Sequence, residues 1–167
     1  MWRFSVTVAM VTACVSANAA QGFYSAAEEW VVTKREIDGR VAAVRSNAAL
    51  PALATKQEFG RSLKFIVPFN VHNDRPFPER LDREGFEKIE EAIEIHLVET
   101  KIGVFATIIT TNNTREFLLY VGDTAEAQAI AERLVADIDH HQISFRLESD
   151  PDWEAWSRFA GEHEPDQ

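Results

Sequence analysis

Residues 103–121, GVFATIITTNNTREFLLYV, decide how the rest of the chain is read. Val104, Phe105, Ile108 and Ile109 precede Asn112-Asn113, and Phe117, Tyr120 and Val121 follow it. These side chains are β-branched or aromatic and fit a pleated, half-buried surface. Asn accepts positive φ more readily than other residues bearing a Cβ, so Asn112-Asn113 suits a two-residue type I′ turn. The stretch predicts a β-hairpin.

An amphipathic helix is expected on each side of it. Upstream, Phe86, Ile89, Ile93 and Leu97 recur at helical spacing, with Asp82 as N-cap and Leu81 and Phe86 placed for a hydrophobic staple. Glu84, Glu87, Glu90, Glu91 and Glu94 occupy much of the remainder, and the helix ends near Thr100, with Gly103 just beyond. Downstream, Asp123 and Glu126 form a capping-box-like start, and Ala127, Ile130, Ala131, Leu134 and Ile138 line one face. His140 and His141 are expected to close this helix, where positive charge suits the dipole.

Strands flank the two helices. Leu63, Phe65, Val67, Phe69 and Val71 alternate with wetter residues up to His72, and Pro68 hints at an edge or a bulge. Ile143, Phe145 and Leu147 alternate in the same way. From Leu63 to Glu148 the order is β-α-β-β-α-β. That is an α+β fold of the ferredoxin-like kind, an antiparallel sheet with both helices on one face. Before it, Trp30–Arg35 and Arg40–Ser46 flank Asp38-Gly39, a strong signal for an N-terminal β-hairpin. Ala48 to Arg61, with Pro51, reads as a loop, as does Asn73 to Arg80. After the core, Asp150-Pro151 starts a short C-terminal helix with Trp153, Trp156 and Phe159 on one side.

The chain of 167 residues is 46% hydrophobic, enough for the core of one domain. Its net charge of −10 argues against nucleic acid or anionic lipid as a partner, since both require clustered Lys and Arg. One cysteine rules out an intramolecular disulfide and any multi-Cys zinc site. No P-loop, dinucleotide fingerprint or nucleophile elbow occurs.

Residues 1–19 read as a signal peptide. Arg3 supplies the charge, Phe4–Ala13 the apolar core, and Ala17-Asn18-Ala19 the small-x-small cleavage site. The apolar core is too short to span a bilayer. A periplasmic or secreted protein is expected, with one domain over residues 20–160 and a flexible tail at 161–167. Val11-Thr12-Ala13-Cys14 also resembles a lipoprotein box, and lipidation at Cys14 would instead anchor the protein in the bacterial envelope.

With these elements placed, the chain resembles the uncharacterised bacterial family known as domain of unknown function number 695. The resemblance rests on Trp30 with the Asp38-Gly39 hairpin, Ile89-Glu90 within the first helix, and the Gly103–Thr111 strand. Thr114-Arg115-Glu116-Phe117 leading to Tyr120, and Asp150-Pro151-Asp152-Trp153, complete it. It covers Glu29 to Phe159 and implies a fold and a domain extent, with no established activity.

Several groups invite a functional reading. Asp137 and His141, four apart, could share a metal if both lie on a helix, although no third ligand is supplied. The helix glutamates could pair for acid–base work or simply form a solvated face. Glu90 stands apart beside the apolar stripe, within reach of Arg115 or Lys64 as an ion pair. Strand alternation places Glu116, Leu118 and Tyr120, with Ile66, Asn70, His72, Arg146 and Glu148, on the sheet face away from the two long helices. That face is either a shallow binding surface or is covered by the N-terminal hairpin and the Trp153 helix. The binding candidates are Glu90, Arg115, Glu116, Tyr120 and Trp153. No catalytic residue, metal or cofactor is assigned, and the partner is an unknown protein or small ligand. The expected function is an exported, non-enzymatic binding domain, inhibitor- or immunity-like in one version. The alternative is an envelope enzyme with a small polar site on the open sheet face.

Overall fold

The computed structural model describes residues 28–70, 78–111 and 113–160. The expected signal sequence, Cys14, His72, Asn112 and the 161–167 tail lie outside these residues. The fold is mixed α+β. Strands β1 (Trp30–Ile37), β2 (Arg40–Asn47), β3 (Arg61–Pro68), β4 (Gly103–Thr110), β5 (Thr114–Val121) and β6 (Ser144–Ser149) form one antiparallel sheet in the order β1-β2-β4-β5-β3-β6. Among the described residues there are four helices: α1 (Leu50–Leu53), α2 (Arg80–Ile93), α3 (Thr124–Asp137) and α4 (Glu154–Ala160). A π-helical turn, Glu94–Val98, continues α2.

Helices α2 and α3 share one face of the sheet. Phe86, Ile89, Ile93 and Leu97 from the first, and Ala127, Ile130, Ala131 and Leu134 from the second, close over Leu63, Phe65, Val67, Phe105, Ile108, Phe117 and Leu119. The period of 3.6 on the helices meets the period of 2 on the strands in one apolar layer. Helices α1 and α4 take the opposite face, where Leu50, Ala54, Ala106, Leu118, Tyr120 and Trp153 form a second cluster.

β1 and β2 meet at Asp38-Gly39, both at positive φ (51° and 74°), as a two-residue primed turn requires. β2 then pairs with β4, so the hairpin lengthens the sheet beyond the β4 edge. At the Asn113 turn the Thr111 hydroxyl accepts the Thr114 N–H at 3.2 Å.

Four local expectations are corrected. Residues 48–61 are not all loop, because Pro51 sits in the first turn of α1 and its fixed φ suits that position. Pro68 marks neither an edge strand nor a bulge. It ends the interior strand β3, two residues past Ile66, where pairing with β6 stops. Helix α2 starts at Arg80, not after Asp82; Leu81 is 71% exposed and forms no staple with Phe86. Asp150 caps from a distance: α4 begins at Glu154, after a Pro151-Asp152 turn and Trp153 at φ 58°.

Candidate functional site

The five sequence candidates fall in three separate places. Glu90 and Arg115 come together on the α2 side of the sheet. Glu90 is 8% exposed and stands on the helix face that meets β2 and β5. Arg115 Nη2 donates to its Oε2 at 3.1 Å, and Arg45 Nη1 donates to Oε1 at 3.0 Å. Both guanidiniums lie against aromatic rings. Arg45 stacks over Trp30 at 4.8 Å, and Arg115 lies between Phe86 and Phe117 at 5.4 and 5.3 Å. Two fixed cations facing one carboxylate satisfy the charge that burial would otherwise penalise.

Two more carboxyl groups crowd this cluster. Glu28 accepts the Trp30 indole N–H at 3.1 Å. Burial raises its pKa, and Glu90 adds to that, against the pull of the Trp30 hydrogen bond and of Arg45. Glu94 is 5% exposed in the π-helical turn. Burial, then the charges of Glu28, Glu99 and Glu90, push it up to about 8. The acidic face expected on α2 is therefore split: Glu84, Glu87 and Glu91 are exposed, whereas Glu90 and Glu94 are buried. Glu94 sits at the edge of the apolar stripe, one position past Ile93, where the π-helical turn begins.

Tyr120 and Trp153 form the second place, on the opposite face. Tyr120 is fully buried. Its hydroxyl donates to Asp150 Oδ2 at 2.7 Å and accepts the Trp156 N–H at 3.2 Å. Burial first, then the Asp150 carboxylate, raises the Tyr120 pKa. Asp150 is held below its ordinary value: burial works against this, but the Tyr120 hydroxyl and the Ala155 and Glu154 N–H groups prevail. Trp153 packs on Tyr120 at 5.2 Å and donates its indole N–H to Phe59 O at 2.7 Å. Trp156 donates to Asn47 O at 3.1 Å. These groups lock α4 onto the sheet, so of the two alternatives for this face, open or covered, the covered one holds at Tyr120.

Glu116 makes the third place. It pairs with Lys64 at 3.2 Å on the part of that face that α1 and α4 leave uncovered. Lys64 therefore serves Glu116, while Arg45 takes the second position on Glu90. No sequence signal marks Arg45, because its approach to Glu90 depends on the register of β2 against β4, Arg45 opposite Ile108.

The histidines sit elsewhere again. α3 ends at Asp137 and Ile138 is extended, so Asp137 and His141 share no helix, and the two histidines do not cap α3. His141 instead packs on Phe86 at 5.3 Å, with Nε2 3.5 Å from Asp82 Oδ1. Gly85 permits this, since a Cβ there would stand 2.0 Å from His141 Cε1. A polar recess of about 770 Å³ lies beside these residues. Among the described residues no group of three or more His, Cys, Asp or Glu is placed to hold a metal. No helix there is long and apolar enough to cross a membrane.

Comparison with known proteins agrees in extent with this single sheet and its helices. Neither the curated proteins nor the solved structures contain a match to the chain. One family model does match, over residues 28–160, from just before β1 to the last residue of α4. The chain belongs to that family, described as a family of unknown function (DUF695).

Proposed function

We propose that this chain is an exported bacterial binding domain without catalytic activity, built on a ferredoxin-like core that the β1–β2 hairpin extends. The strand order β4-β5-β3-β6, with α2 and α3 on one face, supports that core. Export rests on Arg3, the Phe4–Ala13 apolar run and Ala17-Asn18-Ala19, all upstream of the family match at residue 28. A periplasmic or secreted location follows. Lipidation at Cys14 is the anchored alternative.

The observation that carries the binding reading is dispersal. An acid–base or nucleophilic site requires its groups within hydrogen-bond reach of one another. Here Arg115 is held by Glu90, Tyr120 is buried under α4, Glu116 pairs with Lys64, and His140 and His141 lie at the start of α2. The polar residues hold elements together, and the outer face of α2 is left charged. The exposed glutamates of α2 (Glu84, Glu87 and Glu91) and the negative charge of the chain suit a basic protein partner, as an inhibitor or immunity-type protein would have.

The test is cross-linked capture of the tagged mature chain from its native envelope, read by mass spectrometry. A stoichiometric basic partner, lost when Glu84, Glu87 and Glu91 become Gln, is the expected result. Loss only with Lys64→Ala and Glu116→Ala moves the site to the sheet face. Capture of no partner overturns the inhibitor-like reading.

A further inference from the structure

Strand β1 is one margin of the sheet, and among the described residues it pairs with β2 alone. It runs in register with β2 from Trp30 to Ile37 without a bulge, and it contains no proline. The other margin, β6, is shorter, at six residues against eight. A long, regular edge presents a row of backbone N–H and C=O groups that another strand can pair with. Bulges, prolines and short strands are common protections against this, and β1 has none of them.

Hydrogen-bond parity says which groups of β1 face outward. The Asp38-Gly39 turn makes Ile37 and Arg40 a hydrogen-bonded pair, and such pairs recur at every second residue. Arg35, Thr33 and Val31 therefore direct their backbone groups at β2. So does Glu29, whose C=O accepts the Ala48 N–H at 2.7 Å. The outward series is Trp30, Val32, Lys34 and Glu36. The side chains of the last three are exposed, Val32 at 67%.

Charge selects the occupant. Lys34, Arg35 and Glu36 are the only charged residues of β1, so this strand is locally positive in a chain of net charge −10. It offers nothing to a basic partner, whereas two copies of the chain can meet here without the repulsion that their acidic surfaces impose elsewhere. Antiparallel pairing about a two-fold axis normal to the sheet sets residues of the same face opposite one another. With Thr33 on the axis, Val32 stands opposite the partner's Lys34, and Trp30 opposite the partner's Glu36. All four outward residues are then hydrogen-bonded, and no like charges stand directly opposite. Centring on Lys34 would oppose two ammonium groups, and centring on Val32 would set Glu36 against the partner's Glu28.

We infer that two copies of this chain join β1 to β1 in the Thr33-centred register, making one continuous antiparallel sheet from the two six-stranded sheets. This goes beyond the basic-partner reading and does not depend on it, since that reading rests on the exposed glutamates of α2.

The experiment is sedimentation equilibrium of the full mature chain from about 1 μM to 1 mM, the range in which a weak but specific dimer dissociates. Amide hydrogen exchange is followed at both ends of the range. A monomer–dimer equilibrium is expected, with slowed exchange at Val32, Lys34 and Glu36 in the dimer. Val32→Lys places an ammonium opposite the partner's Lys34, twice over, and is expected to weaken the dimer about tenfold. Adding Lys34→Glu converts both contacts to opposite charges and is expected to restore it. Unchanged protection in β2 and β4 reports that the fold of each variant is intact. A chain that stays monomeric up to about 1 mM overturns the inference. So does a dimer that Val32→Lys leaves unaffected, or one that Lys34→Glu does not rescue. Pairing of β1 with a captured protein, in a chain that is monomeric by itself, overturns it as well. Loss of a basic partner on neutralising the α2 glutamates leaves the dimer unchanged, so the two readings fail separately.

Discussion

The two faces of the sheet are closed by different means. On the α2–α3 face, seventeen buried side chains make one continuous apolar layer, and both helices contribute to it. On the α1–α4 face the core is smaller, and the seven-residue α4 is held by a few directed contacts around Tyr120, Asp150, Trp153 and Trp156. Apolar burial is roughly proportional to area and indifferent to direction, whereas a hydrogen bond is lost when its geometry fails. The first face should therefore carry global stability and the second should govern local order.

Truncation separates the two most sharply on the first face. Phe117→Ala removes a fully buried ring between β5 and α2, and a loss of about 3–5 kcal/mol is expected from transfer and cavity terms together. Urea denaturation followed by far-UV circular dichroism measures it. A loss below about 1 kcal/mol would mean that this layer repacks freely and that the contrast is overstated.

The charged cluster at the β2 end of the same face tests whether that layer is purely apolar. Glu94 titrates from an ordinary 4.5 up to about 8, so between those values the folded protein holds a proton that the unfolded chain has released. Stability then falls as pH rises through this window and levels off above it. Glu94→Gln, which cannot ionise, should match the parent near pH 4 and exceed it by about 2 kcal/mol near pH 8.5. Chemical denaturation of both proteins across this range checks the sign. A parent that is at least as stable as Glu94→Gln at the alkaline end would refute it.

The smallest expected effect belongs to the α4 face. Tyr120→Phe removes the hydroxyl that donates to Asp150 and accepts from Trp156 N–H, at a cost of about 1–2 kcal/mol. Asp150 still caps α4 through Glu154 and Ala155 N–H, so the helix is retained. The change should appear as faster hydrogen exchange at Trp156 and Ser157, with protection in β3 and β5 unaltered. Equal loss of protection throughout the sheet would show that both faces unfold as one unit.

The candidate site was legible only in part. Glu90 stood out because it broke the polar pattern beside an apolar stripe, and the structure does pair it with Arg115. Its second partner, Arg45, lies forty-five residues away and reaches it only through the pairing of β2 with β4. Tyr120 was placed on a sheet face left either open or covered, because strand alternation reports which face a side chain takes, not what covers that face. The covering comes from α4, whose Asp150 and Trp156 meet the Tyr120 hydroxyl from thirty and thirty-six positions on.

What the sequence determined by itself is the set of elements whose signal is local. The alternation of Leu63, Phe65 and Val67, the stripe of Phe86, Ile89, Ile93 and Leu97, the Asp38-Gly39 turn and the Asp123 cap on Glu126 N–H each depend on residues a few positions apart. Tertiary structure alone decided which charges are buried together, which sheet face is closed, and where Ser46 and Thr107 leave hydroxyls unpartnered. Those outcomes depend on strand register and on helix placement across the sheet. Both are settled by the collective packing of distant segments, for which no short window of sequence carries a period.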